Sequence, residues 1–161
     1  MSEQIPAHRL TPGQLAASGP RAALHASEYE QILDAIYQGA ELHYAPGGAL
    51  EAPGSAAAQG RDPDLDLLKG DESYAAGLMQ LAQLGDLDAT TQLADLISLL
   101  AQARAQEDEL LADCVWVAGA VAVGWGATPA LEAAKQAARE GVPGAAQALL
   151  QAADQQRLGK L

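Results

Sequence analysis

The sequence predicts an all-α fold, a compact antiparallel helical bundle of about five to six helices. Three observations carry that expectation. Among 161 residues there is no Phe, and the apolar content is mostly Ala, Leu and Val, which favours close-packed helices over a sheet of aromatic and β-branched side chains. From Ser27 to about Gln156 the apolar residues recur at helical spacing. Several of these stretches also open on an Asp or Thr followed by Pro, or close on Gly, as helix ends do.

Residues 1–26 mix Pro, Gly, Ala and Ser and read as a flexible N-terminal arm. One short helix is expected inside it, opening at Thr11, with Pro12 at the first helical position and Gln14 completing a capping box. A single helical domain then runs over 27–156. Its first helix opens at Ser27, with Glu30 three residues on, shows Ile32, Leu33, Ile36 and Tyr37 on one side, and ends near His43. Residues 45–61 carry almost no large apolar side chain and are expected to form a flexible loop.

Asp62 caps the next helix, Pro63 begins it and Gly85 stops it; Leu67, Leu68, Tyr74, Ala75, Leu78, Leu81 and Ala82 follow the helical period. Asp86 or Asp88 restarts the chain with Leu93, Leu96, Ile97, Leu100 and Ala103 on one face. The short connection predicts that these two helices are antiparallel neighbours. A further helix opens about Asp108 and contains the nearly unbroken apolar run Leu110–Trp125. The last two run from Thr128-Pro129 to Gly141 and from Pro143 to about Gln156, leaving 157–161 as a C-terminal tail.

The run Leu110–Trp125 spans sixteen positions interrupted by Asp113, short of the ~20 that cross a bilayer. No transmembrane segment is expected. A helix apolar on all sides belongs at the centre of a bundle or in a partner interface, so Trp116 and Trp125 are read as core residues or as interface anchors. A formal charge of −12 repels phosphate backbones and anionic lipids, which excludes nucleic acid as a partner. Between Asp62 and Asp113 twelve acidic residues stand against only Lys69 and Arg104, the reverse of what a diphosphate-gripping site needs. Cys114, the single cysteine, sits in the apolar run and reads as a small core residue. With no basic-then-apolar leader at the start, the expected compartment is the cytoplasm.

Candidate chemistry is sparse. Asp62-x-Asp64-x-Asp66 has the spacing of a hard-metal loop, but Leu67 and Ser73 stand where a calcium hand needs Gly and Glu, so the acids are assigned to the helix dipole. His8, His25 and His43 are too scattered to form a zinc set and are read as solvated. No metal site, cofactor site or catalytic residue is expected. Asp71 lies among Leu67, Leu68, Tyr74, Ala75 and Leu78 and is expected to be partly withdrawn from water, needing either a group inside the bundle or an Arg on another subunit.

The stretch Leu67–Arg104, LLKGDESYAAGLMQLAQLGD followed by a helix containing TTQLADLISLLAQAR, resembles the small subunit (component 1) of the two-component heptaprenyl or hexaprenyl diphosphate synthases of bacteria. The matching positions are Gly70, Asp71 and Tyr74. A similar Gly-Asp helix follows the first aspartate-rich motif of catalytic trans-prenyltransferases, so the resemblance extends to part of that all-α fold. Ile36–Gly47 stands where those chains carry DDxxD, and it has no paired aspartates. The resemblance therefore implies a non-catalytic regulatory subunit that pairs with a catalytic prenyltransferase chain and shapes product length, with Leu78, Trp116, Val121 and Trp125 as partner-interface candidates. The alternative is a structural accessory subunit of a larger assembly, such as a membrane-associated respiratory complex; a homo-oligomer is compatible with either.

Overall fold

The computed structural model describes residues 10–44 and 62–159. Among these there are seven α-helices, one 3-10 turn and no strand: α1 (Pro12–Ala17), the turn Pro20–Ala22, α2 (Ala26–Tyr44), α3 (Pro63–Leu84), α4 (Leu87–Ala105), α5 (Glu109–Trp125), α6 (Pro129–Arg139) and α7 (Ala145–Leu158). The helix ends follow the local chemistry. Thr11, Asp62, Asp86, Asp108 and Thr128 each accept a backbone N–H of the first turn, and Gly85, with φ +68°, terminates α3 in the left-handed region that favours glycine. Ser27 is not a cap: α2 begins one residue earlier, and the Ser27 hydroxyl accepts from Gln31 Nε2.

α5 is the axis of the molecule. It packs against α1, α4, α7 and the 3-10 turn, and Val115, Trp116, Val121, Val123 and Trp125 are all buried. No helix among the described residues is long and apolar enough to cross a membrane. α6 closes the bundle against α7 and α4, where the buried Lys135 ammonium donates to Gln92 at 2.7 Å and to Asp95 at 2.8 Å.

Two expectations are corrected here. Residues 10–26 are not a loose arm. Leu15, Ala16 and Ala22 are fully buried, Gly13 donates to Asp34 at 2.9 Å, and Gly19 sits so close to Gly124 that a β-carbon on it would lie 2.2 Å from the Gly124 carbonyl oxygen. Arg21 adds a hydrogen bond to the Val123 carbonyl at 3.2 Å. Nor is Arg157 in a free tail: α7 continues through Leu158, and the buried Arg157 guanidinium stands 5.9 Å over the Trp125 ring. The expected arm residues 1–9 and the expected loop 45–61 lie outside the described residues.

The pairing of α3 also differs from the expected one. α3 packs along α2 and barely touches α4. Close approaches run from His43–Asp71 through Gly39–Gly70 and Ile36–Gly77 to the Tyr29–Asp86 hydrogen bond, so numbers rise on one side as they fall on the other and the two helices are antiparallel. Glycines make this possible. A β-carbon on Gly39 would meet Tyr74 Cδ2 at 2.7 Å, and one on Gly77 would meet Ile36 Cγ1 at 2.8 Å.

Candidate functional site

α3 is bound to the molecule along one line only. Asp66, Gly70, Gly77 and Leu81 are its buried residues and face α2, with Tyr74 half-buried beside them. At 100° per residue the opposite line passes through Leu65, Leu68, Glu72, Ala75, Met79 and Ala82. All six are exposed. Leu68 keeps 65 % of its surface, Met79 61 % and Leu65 45 %, which is unusual for large apolar side chains on a helix that has a core available.

Gly70, Asp71, Tyr74 and the four interface candidates each have a place, whereas His8 lies outside the described residues. Gly70 lies in the α2 seam, where a β-carbon would be 3.0 Å from the Gly39 carbonyl oxygen. Asp71, one step round the helix, is turned outward; its side chain is 71 % exposed and its Oδ1 stands 3.7 Å from His43 Nδ1. The expectation of a withdrawn carboxylate at Asp71 therefore fails, because the buried line of α3 runs through Asp66, Gly70, Gly77 and Leu81 rather than through the leucines that flank Asp71; the buried carboxylate of α3 is Asp66 instead. Tyr74 is pushed up to about 12, first by burial and then by the nearby Tyr44 and Glu41.

Leu78 is 43 % exposed and borders the outward stripe. Trp116, Val121 and Trp125 are buried by this chain's own helices and present no surface, so of the four interface candidates Leu78 alone faces outward. Trp116 packs edge-to-face on Tyr37, centroids 5.0 Å apart, beside a cavity of about 300 Å³ that Leu10, Pro12, Leu15, Asp113 and Val117 complete. Its indole N–H has no hydrogen-bond partner.

The titratable groups around this end hold the helices together. Arg104, at the end of α4, joins Glu41 of α2 at 3.2 Å and Glu109 of α5 at 2.5 Å. Burial raises the Glu41 carboxyl in spite of Arg104, helped by Glu109 and Asp113. Burial likewise pushes the Cys114 thiol up, which keeps it an inert core group. Among the described residues no cluster of His, Cys, Asp and Glu could hold a metal ion.

The sequence reading did not find Gly39 as the partner of Gly70, or Gly77 as the position that receives Ile36, and with them the true neighbour of α3. The available signal was the spacing of seven between Gly70 and Gly77, which puts two small residues on one helix face. No family model, no curated protein and no solved structure matches the chain.

Proposed function

We propose that this chain is a non-catalytic, protein-binding subunit and that it docks through the outward face of α3 onto the catalytic chain of a heteromeric polyprenyl diphosphate synthase, supporting that chain's activity and product length. The observation that carries the docking role is the row Leu65, Leu68, Ala75 and Met79, exposed on a helix whose other side is fully committed to α2. Exposed apolar rows of this kind mark interaction surfaces. The identity of the partner rests on the resemblance of Leu67–Arg104 to the small subunit of such synthases, and the missing aspartate pairs fit a helper that does no metal-assisted chemistry itself.

The test is co-expression with a DDxxD-containing synthase from the same cell, followed by size-exclusion chromatography and an isopentenyl diphosphate incorporation assay with and without this chain. A stable complex with higher activity or altered product length is expected. A synthase that forms no complex and is fully active alone would refute the prenyl reading and leave the accessory-subunit role of a different assembly.

A further inference from the structure

The line of α3 that faces away from α2 is not uniformly apolar. Glu72 stands on it between Leu68 and Ala75, at the i+4 and i−3 positions, so a partner that covers both Leu68 and Met79 also covers the Glu72 carboxylate. Asp71 and Asp64 lie on one flank of the same line, both exposed. On the other flank the single cation is Lys69. A carboxylate taken out of water in an interface needs a cationic or hydrogen-bonding partner, and rim carboxylates repel an acidic surface.

We infer that the surface received by α3 is an apolar groove or helix face carrying Lys or Arg at its centre and along one rim, with a cation placed opposite Glu72. This deepens the docking role given above and rests on it, but not on the partner's being a prenyltransferase. A second copy of this chain does not meet the requirement. The outward line of α3 carries no Lys or Arg at its centre, so a second copy would offer Glu72 no cation there, in a chain whose formal charge is −12.

The probes are three fluorescent amphipathic peptides of about 18 residues, five helical turns: one with a Leu face and Lys elsewhere, one with the same Leu face and Glu elsewhere, and one of the Lys composition with its Leu positions scrambled. Only the ordered Lys peptide is expected to bind, with Kd rising roughly tenfold for Glu72→Lys/Asp71→Lys and again roughly tenfold for Leu68→Ser/Met79→Ser, variants confined to exposed positions so that thermal unfolding stays unchanged. Sedimentation equilibrium is expected to show a monomer. Equal binding of the Lys and Glu peptides overturns the charge inference alone. Binding to neither peptide, or Lys-peptide binding that ignores the scrambling or Leu68→Ser/Met79→Ser, overturns the docking face with it; a dimer abolished by Leu68→Ser/Met79→Ser overturns the exclusion of a second copy.

Discussion

Gly39 of α2 and Gly70 of α3 meet backbone to backbone: a β-carbon on Gly70 would stand 3.0 Å from the Gly39 carbonyl oxygen, and one on Gly39 would stand 2.9 Å from that of Gly70. In an isolated helix Ala is preferred over Gly by about 1 kcal/mol. Here the sign reverses, since neither backbone can yield without separating the helices along Ile32, Ile36 and Leu81. Gly39→Ala is expected to destabilise by about 1–3 kcal/mol, read as a lower midpoint in urea. A stabilised variant would contradict the tight seam.

Core and surface positions of the interface candidates separate in the same assay. Val121 is fully buried, and Val121→Ala is expected to cost about 1–2 kcal/mol through lost burial and a residual cavity. Met79→Ser and Leu68→Ser, on the outward face of α3, are expected to change stability by no more than about 0.5 kcal/mol. A large loss at Leu68 or Met79 would mean that α3 is covered within the chain.

Acid should weaken the fold through two carboxylates. Burial alone would raise Asp95, but the hydrogen bond and charge of Lys135, with Arg139, outweigh it and hold the carboxyl below its usual range; Asp86 is held down likewise, by the Ala89 N–H, Tyr29 and Arg21 against its own burial. A carboxyl whose folded pKa is depressed stabilises the protein above the unfolded value of about 3.9 and loses that contribution as pH falls through the folded value. Wild-type stability is therefore expected to drop below about pH 4. Asp95→Asn should flatten that slope while lowering stability at pH 7, because Lys135 stays buried beside one fewer anion.

Alkali should act through tyrosines. Tyr29 is pushed up to about 12 by burial first and then by its hydrogen bond to Asp86 at 2.5 Å, and Tyr74 reaches about 12 chiefly by burial. A phenol whose folded pKa is raised contributes fully below the unfolded value near 10 and loses its contribution as pH rises toward the folded one. Absorbance at the phenolate band is expected to show Tyr29 and Tyr74 lagging in the folded protein, along with Tyr37, which burial also raises. Tyr29 and Tyr74 both titrating near 10 would show that these hydroxyls face water.

The helix ends were legible because their signals are local. Asp62-Pro63, Gly85 and Thr128-Pro129 act on their own first or last turn, and each sits where the sequence places it. The apolar run of α5 likewise announced a central helix, since Trp116, Val121 and Trp125 have nowhere else to be buried. The neighbour of α3 was not legible. A short link between α3 and α4 suggested that pair, whereas the choice was made by Gly39 meeting Gly70 across a sequence gap of about thirty residues, and small residues leave no hydrophobic trace. The same blindness misplaced Asp71, because the leucines around it outlined the exposed face of α3 as if it were the buried one. The docking of residues 10–26 depends on Gly13, Gly19 and Leu15 fitting α2 and α5, a tertiary match that a six-residue helix does not advertise.

α3 is proposed to face a partner with its outward side. Amide hydrogen exchange of this chain, alone and after co-expression with the DDxxD synthase, tests it most directly. Added protection is expected over residues 65–82, with α6 and α7 exchanging as they do in the free chain. Protection confined to α6 and α7, or none anywhere in a chain that co-purifies with no synthase, would contradict it.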